Sequence, residues 1–368
     1  MKIPELHIGD LRIRVPIIQG GMGVRVSRHK LAGAVAKEGG VGTIASVCIG
    51  PIEEGSRSEF AKINQHALSE EIKQAKEISH GGIVAVNVMV ALTDYETLVT
   101  GSISAGADII ISGAGLPLML PEYAKGSKIK LVPIVSSGRA AKIICEKWDR
   151  RFSRLPDAFI VEGILAGGHL GFSFEELEHP EDYPLDRIVT EVIEAVTPYE
   201  KQHNIKIPVI AAGGIFDGKD IGRMLQIGAA GVQMATRFVC TDECDASQKF
   251  KQAYLDAKKE DITIIRSPVQ MPGRVIRNDF VKNVVESSKK IKFDCPYRCL
   301  RVCVPMQVPY CIARVLLNAC KGNLEEGFVF VGRNAYRCDK ITTVKELMHE
   351  LVTETESYLD TVGYKPNR

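Results

Sequence analysis

Eight short apolar runs set the first limit on what this chain can become. They cover residues 15–19, 41–45, 83–88, 107–112, 130–135, 158–161, 207–211 and 231–234. Each is rich in β-branched residues and almost wholly apolar, as parallel strands covered on both faces must be. The segments between them carry helical spacing. Residues 28–38 place Leu31, Ala34 and Val35 on one side, with Ser27 as the predicted N-cap. Residues 220–227 repeat the pattern with Ile221, Met224 and Leu225, and 138–148 and 185–203 fit it too. Strand and helix alternating eight times predict an α/β fold, a (β/α)8 TIM barrel. An open doubly wound sheet is the competing arrangement; eight units favour closure. With 368 residues, 45% of them hydrophobic, the chain can fill one such core.

The rhythm stops after the eighth run. Residues 259–330 carry Pro268, Pro272, Pro296, Pro305 and Pro309, and Cys295, Cys299, Cys303, Cys311 and Cys320. They predict a mainly helical, Cys-rich cap beside the C-terminal face of a barrel formed by residues 1–258. Residues 331–368 would return to the barrel through an amphipathic helix at 343–352, where Val344, Leu347, Met348 and Leu351 share a face. No Ser/Gly-rich linker separates the parts, so the cap should pack tightly.

Charge narrows the partners. The 47 basic and 45 acidic residues leave a net charge of +2, which gives no field for nucleic acid or an acidic membrane. The apolar run at 83–92 is too short for a membrane span. The first residues show no charged-then-apolar leader, so the expected location is the cytoplasm. In that setting the ten cysteines are expected as free thiols or a metal site rather than a disulfide framework.

Glycines gather where the strands end. Gly20, Gly21 and Met22 follow the first run, Gly167, Gly168 and His169 the sixth, and Gly213 and Gly214 the seventh. In a barrel these loops share the face that carries chemistry, and glycine lets backbone amides approach a ligand. The loops after strands seven and eight also recur as phosphate sites in barrels. There Gly213 and Gly214 would offer amides, and Ala235 and Thr236 amides and a hydroxyl. A phosphorylated cofactor or substrate follows; flavin mononucleotide and a sugar phosphate are not told apart. Neither a Walker A loop nor a dinucleotide fingerprint is present. His169 is the candidate acid–base residue, because it sits two positions past the Gly167 end of that rim and its ordinary pKa suits proton transfer. The other seven histidines, His29 among them, lie in stretches read as surface. No partner stands at metal-ligand spacing from His169.

Residues 16–23 (PIIQGGMG), 167–169 (GGH), 212–215 (AGGI) and 228–238 (GAAGVQMATRF) occur in this order. Together they resemble the nitronate monooxygenase family, formerly called 2-nitropropane dioxygenases, across residues 1–355. This is an FMN-dependent barrel superfamily that also holds the flavin-dependent enoyl-acyl-carrier-protein reductases. The resemblance implies FMN at the barrel mouth. The loop after strand one would contact it through Gly20, Gly21 and Met22. Asn87 on strand three, Ser136 after strand five, Glu162 on strand six, and Gly167 and Gly168 match further cofactor positions. Gly213, Gly214, Ala235 and Thr236 match the phosphate pocket and His169 the active-site histidine. Ala235 departs from the glycine many relatives carry. The implied reaction is oxidation of an alkyl nitronate by O2 to a carbonyl compound and nitrite. The same scaffold also implies, as alternatives, NAD(P)H-dependent reduction of an enoyl thioester or a quinone. A homodimer is an expectation only. A non-redox sugar-phosphate barrel would need a rim carboxylate, for which Glu162 is the strong candidate, and a simple FMN-holding protein would show no turnover.

The spacing of Cys295, Cys299 and Cys303 would align three thiols on one side of a helix, with Cys311 eight further on. It matches neither a zinc ribbon nor a ferredoxin run, so buried free thiols are expected and no metal is assigned.

Overall fold

The computed structural model describes residues 2–51, 57–295 and 298–365. Pro296, one of the cap prolines, lies outside them. Eight parallel strands close into a barrel in the order β10-β11-β3-β4-β5-β6-β7-β8. They are β3 (Ile17–Gln19), β4 (Val41–Ala45), β5 (Ile83–Met89), β6 (Ile109–Gly113), β7 (Lys130–Val135), β8 (Phe159–Glu162), β10 (Val209–Ala212) and β11 (Gly231–Met234). Each of the eight runs read from the sequence overlaps one of them, four of the strands reaching one residue beyond the run. The helices expected at 28–38, 138–148, 185–203 and 220–227 also form, as His29–Lys37, Gly138–Phe152, Leu185–His203 and Gly218–Gln226.

Side-chain alternation along the strands sorts the core into two layers. Ile44, Val86, Ile110, Leu131, Val161, Ala211 and Val232 face outward into one cluster with the helices. Ile18, Val41, Ala85, Ile109, Ile111, Val132, Ile160 and Ile210 fill the interior. The lower end of that interior is stoppered by an N-terminal hairpin of β1 (Leu6–Ile8) and β2 (Leu11–Ile13), whose Leu6, Ile8 and Ile13 belong to the same cluster. The chain therefore keeps the opposite, C-terminal end for chemistry.

Two local readings are corrected. Ser27 does not cap its helix: the N-cap is Arg28, and the Ser27 hydroxyl instead accepts the Met22 N–H at 2.8 Å. The helix start is capped from far away, by Asp245 on the Arg28 amide (2.8 Å) and Glu71 on the His29 amide (2.9 Å). His29 is correspondingly not a surface residue; its Nδ1 lies 2.6 Å from the Glu71 carboxylate, and both are largely buried.

The segment after the barrel is built first on a hairpin rather than on helices. β12 (Ile262–Arg266) and β13 (Pro272–Ile276) pair antiparallel, and β13 pairs again with β9 (Gly168–His169). The residues between Ser267 and Met271 make the turn, with the Ser267 N–H donating to the Met271 carbonyl. The helical content follows later, in the π-helical turn Val281–Glu286 and the helix Ile312–Lys321. Cys299 and Cys303 lie in an extended strap, not on a helix. Leu300 bridges Leu92, and the Thr93 N–H donates to the Cys299 carbonyl at 3.1 Å. The thiol aligned with Cys299 is thus the distant Cys48, to which it is hydrogen-bonded. All ten cysteines are free thiols. The chain closes with the helix Val344–Thr361, longer than expected, capped by Thr343 and Glu346 in a reciprocal capping box. Among the described residues no helix is long and apolar enough to cross a membrane.

Candidate active site

Alternation also decides which polar residues look into the barrel above its apolar filling. Val41 and Ala85 belong to the interior cluster, so Thr43 and Asn87, two positions on, point the same way. Ile160 does the same for Glu162. Gly21 is packed directly on this layer: a Cβ there would stand 2.5 Å from the Asn87 Cβ and 3.3 Å from the Thr43 Cγ2. A Cβ on Gly20 would meet Gln233 at 3.4 Å and Ala235 at 3.5 Å. The first loop is therefore laid across strands β4, β5 and β11 at van der Waals distance, with Met22 held by Ser27. The Thr43 hydroxyl is buried beneath it and has no hydrogen-bond partner.

Glu162 ends β8. Burial pushes its carboxyl up to about 7, against the opposing pull of the Gly171 N–H and the Arg274 guanidinium. Gly171 also lies against Ser136, whose hydroxyl is 2.7 Å from where a Gly171 Cβ would stand. Ser136 and Glu162, read from separate strands, thus meet at one backbone position.

His169 is held by the cap. Its backbone pairs with Gly273 of β13. Its Nε2 lies 2.9 Å from the Ser267 hydroxyl, and its ring stands edge-on to Phe330 with centroids 4.9 Å apart. Phe330 is fixed in turn by Tyr254, whose hydroxyl donates to its carbonyl at 2.8 Å. Desolvation by this surround lowers the imidazole pKa to about 4, so the ring is neutral at physiological pH.

Arg274 fastens the same region. It is buried on β13 and donates to the Ile164 carbonyl at 3.0 Å and to the Ala166 carbonyl. Burial depresses its pKa to about 10, with Arg333 adding to the effect and Glu162 opposing it. The loop it clamps supports the phosphate-type glycines. Gly213 and Gly214 both take positive φ, +93° and +83°. A Cβ on Gly213 would press 2.9 Å from the Gly163 carbonyl oxygen, and one on Gly214 would lie 3.0 Å from the Leu165 Cβ. Asn334 donates to the Gly214 carbonyl at 2.7 Å, and Gly332 lies against the Thr236 hydroxyl. Ala235 and Thr236 open the short helix Thr236–Val239. Gly167 is wedged on the 331–332 backbone, whereas a Cβ on Gly168 would meet nothing within 4 Å. Open room therefore begins at Gly168.

The structure brings the sequence-read residues to one rim. Sequence reasoning missed Thr43, Ser267, Arg274 and Phe330. The alternation on β4 would have exposed Thr43. The other three come from the cap, where no periodicity linked them to His169. Among the described residues no three His, Cys, Asp or Glu side chains are grouped to hold a metal ion.

Comparison with known proteins places the chain in a family. The nitronate monooxygenase family profile matches residues 5–354. The chain belongs to the nitronate monooxygenase family. It is thus a flavin-dependent oxidoreductase on a TIM barrel. A probable nitronate monooxygenase of Staphylococcus saprophyticus is 28% identical over 79% of this chain and 83% of its own. A family relative of different activity, the (3aS,4S,5R,7aS)-5-hydroxy-7a-methyl-1-oxo-octahydro-1H-indene-4-carboxyl-CoA dehydrogenase of Mycobacterium tuberculosis, is 25% identical over 95% of this chain and 96% of its own. Among solved structures, FabK from Thermotoga maritima matches with a TM-score of 0.73 and 26% identity, over 95% of this chain and 96% of that one.

Proposed function

We propose that this protein binds FMN at the barrel mouth and oxidises alkyl nitronates with O2 to carbonyl compounds and nitrite. The residues fit the cofactor. The orphaned Thr43 hydroxyl lies beneath a glycine loop that leaves the barrel top to backbone amides, and Gly168 borders open space. Gly20, Gly21, Met22, Asn87, Ser136, Glu162, Gly167 and Gly168 would flank the ring system. Gly213, Gly214, Ala235 and Thr236 would take the phosphate. When bound, the flavin supplies the electron transfer between organic substrate and oxygen.

The observation that carries the substrate reading is the neutral His169. An imidazole with a pKa near 4 is a weak base for removing a carbon-bound proton. It is a competent hydrogen-bond donor to an oxygen that already carries negative charge. A preformed nitronate fits that role better than a neutral nitroalkane. Ser267 engages Nε2, leaving Nδ1 as the nitrogen for substrate. Free thiols throughout suit a reducing compartment, and we place the protein in the cytoplasm.

One observation favours a second reading. Glu162, with its carboxyl near 7, can deliver a proton at neutral pH. That suits NAD(P)H-dependent reduction of an enoyl thioester or quinone, and the likeness to FabK extends along nearly the whole chain.

Anaerobic mixing of the flavin-loaded protein with NADH, NADPH and an alkyl nitronate in turn separates the readings. Loss of the flavin absorbance with nitronate, and none with either pyridine nucleotide, is expected. Rapid loss with NADH or NADPH would replace the oxidation with the reduction. Failure to take up FMN would remove both.

A further inference from the structure

The proposed chemistry uses no thiol, yet two cysteines touch behind the loops that would hold the phosphate. Cys240 follows the helix Thr236–Val239, and Cys338 follows the 3-10 turn Ala335–Arg337. Their thiols are hydrogen-bonded to each other. Both line a cavity of about 250 Å³ whose walls also carry Phe216, the cations Arg237, Arg337 and Lys340, and the carboxylates Asp217, Asp339, Glu350 and Glu354. The backbone on each side is pinned. The Thr342 N–H donates to the Cys240 carbonyl at 3.1 Å, and the Cys338 N–H to the Ala335 carbonyl at 3.0 Å. The two guanidiniums stack on the Phe216 ring, at 4.8 Å for Arg237 and 4.1 Å for Arg337. Glu350 holds the first at 2.7 Å and Asp217 the second at 2.8 Å. Buried thiols are ordinarily inert; these two differ in lining a cavity that a small molecule can enter, with Arg237 and Arg337 close enough to Cys338 to favour its anion.

We propose that Cys240 and Cys338 form an oxidisable dithiol, a modification site that consumes a low-molecular-weight disulfide and closes into a Cys240–Cys338 disulfide. Cys338 is the attacking sulfur. The Cys240 thiol donates to it, and Arg237 and Arg337 favour its anion, outweighing burial and Asp339. Cys240 stays protonated first, because its proton is hydrogen-bonded to the Cys338 sulfur, burial disfavours its anion, and a second negative sulfur would stand beside the first. The Cys338 thiolate attacks one sulfur of the small disulfide, forming a mixed disulfide and expelling one small thiolate. That removes the charge that held Cys240 protonated. Cys240 then passes its proton to the expelled thiolate and attacks the Cys338 sulfur, releasing the second small thiolate. Two protein thiols are oxidised, and one disulfide is reduced to two thiols. The bond would tie the helix after β11 to the segment carrying Asn334 and Gly332, independently of which ligand the loops bind.

The test uses the intact protein and 2-hydroxyethyl disulfide, which is small enough for the cavity. After incubation, remaining thiols are alkylated in denaturant and the peptides are mapped by mass. The expected result is loss of two thiols and one cross-linked peptide pair joining Cys240 to Cys338. Cys240→Ser should stop at the mixed disulfide on Cys338, and Cys338→Ser should leave Cys240 unmodified. Cross-links or adducts confined to Cys295, Cys299 or Cys303, with Cys240 and Cys338 fully alkylated, would overturn the proposal. The wild-type map decides this even if either variant fails to fold.

Discussion

His169 and Glu162 stand within one clamped loop region yet shift in opposite senses from their ordinary pKa values, because desolvation disfavours whichever form is charged. His169→Ala should lower kcat/KM roughly 100-fold or more while flavin content stays unchanged. Equal turnover in the variant would take the histidine out of the reaction. The pH dependence follows from the signs. The Glu162 carboxyl titrates in the folded chain near 7, above the roughly 4.3 of a free glutamate. The folded state therefore holds that proton more tightly, and stability from this group is lost as pH rises through about 7. Glu162→Gln should gain stability relative to the parent between about pH 5 and pH 8, read from denaturant midpoints. His169, with its folded pKa near 4, works the other way: its contribution is lost as pH falls below about 6.5. Gly213 takes positive φ and has the Gly163 carbonyl where a side chain would begin. Gly213→Val should purify with little or no bound flavin, and full occupancy would contradict the phosphate placement.

At the scale of elements, the β12–β13 hairpin turns a strand-end histidine into a fixed one. Gly273 pairs with it, Ser267 holds its Nε2, and Arg274 ties down the loop before it. Arg274→Met leaves the Ile164 and Ala166 carbonyls without their donor, which should cost about 1–3 kcal/mol of stability. It also removes the cation that pulls the Glu162 carboxyl down, so a pH–rate inflection belonging to Glu162 should move upward. An unmoved inflection with lowered thermal stability would confine Arg274 to a structural role. Ser267→Ala should reduce turnover less than His169→Ala does, because the ring keeps its Phe330 contact and the backbone its pairing with Gly273.

The whole molecule is organised by which end of the barrel is closed. Leu6, Ile8 and Ile13 of the N-terminal hairpin complete the interior cluster from below. The last helix covers the outside; a Cβ on Gly218 would stand 2.4 Å from the Thr355 backbone nitrogen, so the two helices meet at backbone distance. Leu6→Ala should therefore cost about 2–5 kcal/mol in unfolding free energy and leave KM and the flavin spectrum unchanged. A change in substrate affinity would mean that the two ends are coupled.

The barrel was legible in the sequence because its constraint is local. A strand buried on both faces must be apolar throughout, and eight such runs with helical spacers admit few topologies. The glycine loops were legible for the same reason, since a backbone lying on strands or turning through positive φ excludes a side chain at that residue alone. Asn87, Glu162 and His169 could be placed on the rim from strand ends. Their charge states could not, because desolvation depends on what packs over them. The partners that set those states are distant in sequence: Ser267 and Phe330 for His169, Arg274 for Glu162. So are Cys48 beside Cys299, and Cys338 beside Cys240. The cap hairpin has no signal in the sequence, because Pro272 and Gly273 are strand breakers and its pairing partner, β9, is only two residues long. Position alone makes Ser27 the expected cap, but the helix start is satisfied by carboxylates from Asp245 and Glu71, which only the closed barrel brings there. Sequence by itself determined the scaffold and the edge on which chemistry occurs. Tertiary packing decided protonation, orientation and thiol pairing, since each is set by contacts between segments that the chain order keeps apart.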